Sequence, residues 1–119
     1  MNIILVADDD AMFRAIMKRH LTQMGLAVVE ASSGKNVLEL IRQHQPVACL
    51  IDLIMDEQEG LETITEIADL TPRPRVIAVS SNASYLPWAE DLGADAILHK
   101  PVAPDTLKAT LAHLGIGTA

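Results

Sequence analysis

Five short apolar runs set the limits on how this chain can fold: Ile3 to Ala7, Leu26 to Val29, Val47 to Ile51, Val76 to Val79 and Ala96 to Leu98. They are continuous, rich in Val, Ile and Leu, and lack polar alternation, which suits strands covered on both faces. Longer segments of helical spacing separate them. Phe13, Ile16, Met17, His20, Leu21 and Met24 fall three and four residues apart along one side, with Asp10 as a plausible N-cap and Gly25 as a stop. Ser33 can cap a helix carrying Val37, Leu38 and Ile41, and Gly60 can precede one carrying Leu61, Ile64, Ile67 and Ala68. A fourth helix runs up to Gly93 and a fifth covers Pro104 to Leu114, leaving Gly115 to Ala119 as a frayed tail.

Strict alternation of strand and helix predicts an α/β protein: a doubly wound, five-stranded parallel sheet with right-handed crossovers and helices on both faces. In the strand order 2-1-3-4-5 the first and third strands are neighbours, and ligands bind beyond the carboxyl ends of the strands at that switch point. The 119 residues are expected to form one domain, 1–119, with no repeat, linker or low-complexity segment. Half of them are apolar and 21% are charged, a globular balance. The net charge of −7 repels phosphate backbones, so direct nucleic-acid or anionic-membrane binding is not expected. Cys49, the only cysteine, can form no internal disulfide and reads as a buried, inert thiol. The amino terminus lacks the pattern of a signal peptide and no apolar run reaches membrane-spanning length, so the cytoplasm is the expected compartment.

The residues that close the runs carry the chemistry. Asp8 and Asp9 end the first, Asp52 the third, Ser80 the fourth and Lys100 the fifth, so the predicted sheet gathers three carboxylates, a hydroxyl and an ammonium at one edge. Two unit negative charges about 5 Å apart repel by about 3 kcal/mol at an effective dielectric near 20, so the cluster calls for a cation. Oxygen ligands suit a hard ion such as Mg²⁺. A carboxylate can also attack phosphorus to give an aspartyl phosphate, with metal, Lys100 and Ser80 sharing the charge of the transferring group. Taken singly, Asp8 to Asp10 would be a helix N-terminus, Asp52 a turn residue, Ser80 and Ser81 caps, and Lys100-Pro101 turn punctuation. Their coincidence at one edge is what argues for a site. His20, His44, His99 and His113 show no ligand spacing, and Met12, Met17 and Met24 read as helix core, with Met55 as packing.

These residues resemble those of a bacterial two-component response-regulator receiver domain, of the kind seen in the single-domain chemotaxis regulator. The likeness runs through Ile4-Leu5-Val6-Ala7-Asp8-Asp9-Asp10, Asp52 with Leu53-Ile54-Met55 and Gly60, Ser80-Ser81, Gly93-Ala94-Asp95 and Lys100-Pro101. It implies a flavodoxin-like fold in which Asp52 is the phosphoacceptor. Asp8, Asp9, Asp52 and the Ile54 backbone carbonyl would hold Mg²⁺, Ser80 would be the switch hydroxyl, and Lys100 would pair with phosphoryl oxygens. Asp10 lies outside the family's acidic pair and is kept as a cap. The bond before Pro101 resembles one that is commonly cis in the family.

The implied function is signalling: transfer of phosphate from a sensor histidine kinase or phosphotransfer protein, then contact with a downstream effector, with self-association left open. The domain would not be a turnover enzyme, assisting only its own phosphorylation and dephosphorylation. Departures from the family pattern are Ile97 where an aromatic is usual, Asp56 where a proline is usual, and Glu59 before Gly60. With Glu57 these make an acidic loop. Pro87 implies a fourth helix that starts late or is distorted. Two other functions compete. A pseudo-receiver would signal by protein contact without phosphorylation, and a haloacid-dehalogenase-like phosphatase would use Asp8 as nucleophile and Asp10 as acid.

Overall fold

The strands and helices alternate as the apolar runs require. A computed structural model describes residues 2–55 and 60–118, and the acidic positions Asp56, Glu57 and Glu59 lie outside the described residues. In chain order the elements are β1 (Ile3–Ala7), α1 (Ala11–Gln23), β2 (Ala27–Ala31), α2 (Val37–His44), β3 (Ala48–Asp52), α3 (Gly60–Ala68), β4 (Arg75–Ser80), α4 (Leu86–Leu92), β5 (Ala96–His99) and α5 (Pro104–His113). The five strands form one parallel sheet in the order β2-β1-β3-β4-β5. Residues paired across the sheet include Ala7 with Ile51, Asp52 with Val79 and Ser80 with His99, which brings the carboxyl ends of β1, β3, β4 and β5 to one edge.

Side chains alternate across each strand, so the sheet separates two apolar layers. Ile4, Val6, Leu50, Ile77, Val79 and Leu98 meet Met17 and Leu21 of α1 and Leu107 and Leu111 of α5. On the opposite face Leu5, Cys49, Ile51, Val76 and Ala78 meet Val37, Ile41, Ile64, Ile67 and Leu86. Burial pushes the Cys49 thiol up to about 12, which keeps it inert. β2 is an edge strand, and it carries the polar Glu30 next to its end.

Helix boundaries follow local chemistry. The Asp10 side chain accepts a hydrogen bond from the Met12 N–H at 2.9 Å and caps α1. At its other end Gly25 takes the left-handed φ of 84°, while Leu26 N–H donates to the Leu21 carbonyl and Gly25 N–H to that of Thr22. This paired closure is a Schellman turn. Ser33 does cap, but a short 3₁₀ turn, Gly34–Asn36, intervenes before α2. Pro87 has the effect expected of it: a 3₁₀ turn at Ala83–Tyr85 precedes a short α4 with the proline in its first turn. The Lys100-Pro101 and Thr71-Pro72 bonds are cis.

Two expectations need correction. Met12 is not helix core but 69% exposed, because it lies one residue, and so about a quarter turn, from the Phe13-Met17-Leu21 stripe. The tail is not frayed throughout. Gly115, at φ 78°, turns the chain back so that the Ile116 N–H reaches the Leu111 carbonyl and its side chain enters the core.

Asp95 ties the far ends of β4 and β5 together. Its carboxylate takes two hydrogen bonds from Arg73 at 3.0 Å and one from the Val76 N–H at 2.7 Å. Burial works against ionisation there, yet the Arg73 hydrogen bonds, the Val76 N–H and the nearby charges of Arg73 and Arg75 hold the carboxyl below its ordinary value.

Candidate functional site

The site is assembled from strand ends. Asp8 follows β1 directly, and its N–H donates to the Ala31 carbonyl at the end of β2, which continues the ladder one residue beyond the strand. Its side chain is completely buried, with Oδ1 accepting from the Asp10 N–H at 2.9 Å and Oδ2 from Lys100 Nζ at 2.7 Å. Asp9 is exposed beside it. Asp52 is the last residue of β3, 7% exposed, with Oδ2 3.8 Å from Lys100 Nζ and Oδ1 3.5 Å from the Ile54 N–H. Carboxylate oxygens of Asp8, Asp9 and Asp52 all lie within 4.8 Å of one another.

Ser80 ends β4 and is buried. Its hydroxyl oxygen accepts from the Asn82 N–H at 3.0 Å, and its carbonyl accepts from the Lys100 N–H at 2.9 Å. That second bond carries the β4–β5 ladder past His99 and sets where the Lys100 side chain leaves the sheet. His99 Nε2 lies 3.0 Å from the Ser81 carbonyl, a structural link between the same two strands. The Ile54 side chain is 53% exposed and Ile97 is half-buried. Sequence reasoning therefore found residues that the fold does bring to one sheet edge. Two neighbours escaped it. Phe13 carries Lys100 Nζ 4.2 Å from its ring centroid, and Arg14 donates to the Asp8 carbonyl at 2.6 Å while its Nε pairs with Glu30 at 3.1 Å. Helical spacing marks Phe13 only as apolar; that it is the chain's one phenylalanine was the available signal. For Arg14 the sequence holds no such signal.

The charge balance of the cluster is uneven. Burial first, then the negative charge of Asp8, push the Asp52 carboxyl up to about 6 from an ordinary 3.8, against the opposing pull of Lys100 and the Ile54 N–H. Three carboxylates face one ammonium, and that ammonium is committed to Asp8 by the shorter contact. An all-oxygen cluster with surplus negative charge fits a hard divalent cation, which would relieve the repulsion that burdens Asp52. The residues present therefore suit Mg²⁺.

Residues 4–112 match the family model for the response regulator receiver domain. The chain belongs to that family. Receiver domains are signalling modules of two-component response regulators, and relatives fit this assignment. The transcriptional regulatory protein ZraR of Escherichia coli is 36% identical over 110 residues, covering 91% of this chain and 25% of that protein. A probable transcriptional regulator, ycf27, of Guillardia theta is 32% identical over 110 residues, covering 91% of this chain and 43% of that one. The chain thus spans less than half the length of the curated relatives it matches. Among solved structures, a CheY-like receiver domain protein from Methanospirillum hungatei JF-1 superimposes with a TM-score of 0.88 at 26% identity, covering 96% of this chain and 93% of that one. Among the described residues of this receiver domain, no helix is long and apolar enough to cross a membrane.

Proposed function

We propose that residues 1–119 act as the phosphoacceptor domain of a two-component phosphorelay, with Asp52 as the residue that takes phosphate. The observation that carries this reading is the difference between the two buried aspartates. Both Asp8 oxygens are engaged at 2.7 to 2.9 Å, whereas the hydrogen-bond and ion-pair partners of Asp52 among the described residues stand farther off, the Ile54 N–H at 3.5 Å and the Lys100 ammonium at 3.8 Å. Asp52 therefore keeps its lone pairs for a new bond. An Asp52 oxygen would attack the phosphorus of a phosphohistidine on a sensor kinase or phosphotransfer protein. The P–O bond forms as the P–N bond breaks, and the imidazole leaves with the electron pair.

In this reading Asp8, Asp9, Asp52 and the Ile54 carbonyl would hold Mg²⁺, which would supply positive charge for the phosphoryl oxygens. Lys100 contributes a second cation to the same oxygens from its seat between Asp8 and Asp52. Ser80 trades the Asn82 N–H for a phosphoryl oxygen and draws its loop inward, shifting a pre-existing equilibrium of the surface beyond. The domain assists its own phosphorylation and hydrolysis without being a turnover enzyme. Its partners are a cytoplasmic phosphodonor protein and an effector protein or domain, with no direct contact to nucleic acid or membrane. The ZraR and ycf27 relatives support an effector concerned with transcription.

Incubation with a small phosphodonor and Mg²⁺, followed by intact mass, tests the assignment. One phosphoryl group is expected on the wild type and none on Asp52→Asn. A wild type that gains no mass would favour a module that signals by contact alone. Phosphate retained on Asp52→Asn but lost on Asp8→Asn would favour the phosphatase chemistry instead.

A further inference from the structure

Lys100 is held by more than its carboxylates. Its side chain is 19% exposed, so the ammonium has given up much of its water, and its nearest partners are Asp8 Oδ2 at 2.7 Å, Asp52 Oδ2 at 3.8 Å and the face of the Phe13 ring at 4.2 Å from the centroid. A lysine ammonium is a compact charge on a flexible stem, and ion pairing alone leaves it free to follow whichever carboxylate is nearer. The negative face of an aromatic ring attracts a cation with little directional demand and without consuming a hydrogen bond. Phe13 sits in the first turn of α1, half-buried against the core layer that Met17 and Leu21 fill.

We propose that Phe13 is the positioning residue for Lys100: its ring is the platform on which the ammonium rests, so that the cation stays within reach of Asp52 while bound to Asp8. This rests on the phosphoacceptor reading of Asp52. A platform of this kind confines the ammonium beside Asp52, so that it is already in place for the oxygens that arrive there; without the ring the flexible stem spends less of its time within their reach. Leucine at position 13 would fill the space and supply no such attraction. Tyrosine would preserve it.

The test compares the full chain with Phe13→Leu and Phe13→Tyr. In the wild type the Lys100 Cε protons should show an upfield ring-current shift by NMR, lost in Phe13→Leu and kept in Phe13→Tyr. At saturating Mg²⁺, phosphorylation of Asp52 by a small phosphodonor should slow about threefold to tenfold in Phe13→Leu, the size expected for a lost cation–π contact, with Mg²⁺ affinity unchanged. Phe13→Tyr should recover the wild-type rate. Wild-type kinetics in Phe13→Leu, or a loss in Phe13→Tyr as large as in Phe13→Leu, would overturn the proposal. If Phe13→Leu does not fold, Phe13→Met is read by the same criteria. A wild type that shows the shift and takes no phosphate indicts the phosphoacceptor reading, whereas a wild type without the shift removes the platform itself.

Discussion

Asp8 and Asp52 share the Lys100 ammonium on unequal terms, and burial that this distant cation only partly offsets governs the titration of Asp52. The short pair goes to Asp8, while Asp52 sits buried, facing Asp8, with its cation at 3.8 Å. Its carboxyl is pushed up to about 6 from an ordinary 3.8, so between those values the folded chain holds more protons than the unfolded one. Stability must then fall as pH rises through that window and remain lower above it. In metal-free buffer, Asp52→Asn is expected to stabilise the fold by about 2 kcal/mol at pH 7.5, with the gain vanishing near pH 3. Urea unfolding at the two pH values measures this, and equal midpoints at pH 7.5 would refute it. Asp52 is in this sense a residue that the free domain tolerates instead of one it needs for folding.

Strand β3 and helix α3 are held together by a backbone contact that only glycine permits. A Cβ at Gly60 would lie 2.0 Å from the Asp52 carbonyl oxygen and 2.7 Å from Leu53 Cα, both main-chain atoms that cannot swing aside. The Gly60 N–H also donates to the Leu53 carbonyl at 3.1 Å, so the start of α3 is docked on the end of β3. Gly60→Ala should cost about 2 kcal/mol by overpacking and should slow phosphate uptake by displacing Asp52. Gly117→Ala, where a Cβ would meet nothing within 4 Å, is the control. Parallel urea curves and phosphorylation rates for the two variants decide the matter, and coincident behaviour would count against the docking argument. The glycine was legible as a helix opener, but its closeness to Asp52 was not, since that contact is made through space.

Taken as a whole, the molecule keeps its acidic cluster at the carboxyl edge of the sheet and an aromatic pair at the start of α4. Trp88 is 56% exposed, and its ring lies 5.6 Å from that of Tyr85, just before the helix. The short 3₁₀ turn that leads from Ser80 to α4 ends at Tyr85 and is capped by Asn82, whose N–H is the one bonded to the Ser80 hydroxyl. Under the proposed function, a movement of Ser80 on phosphorylation would pass through Asn82 to α4, even though Ile97 supplies no ring to follow it. The surface formed by α4, β5 and α5 is expected to respond to phosphorylation, with Trp88 emission and the amide shifts of that face changing together. Unchanged Trp88 fluorescence and amide shifts in the phosphorylated domain would exclude this route.

Local pattern was enough to determine the number and order of the strands and α-helices, the parallel sheet, the cap at Asp10, the late start of α4, and which polar residues end the strands. Each of these depends on residues a few positions apart, where periodicity and turn chemistry act directly. Tertiary structure alone decided the rest: that Met12 faces water, that Ile116 folds back into the core, that Asp8 holds the ammonium more closely than Asp52, and that Phe13 lies beneath it. Asp8 and Lys100 are 92 residues apart in the chain, and the distances that set their chemistry exist only once the sheet has brought their strands together.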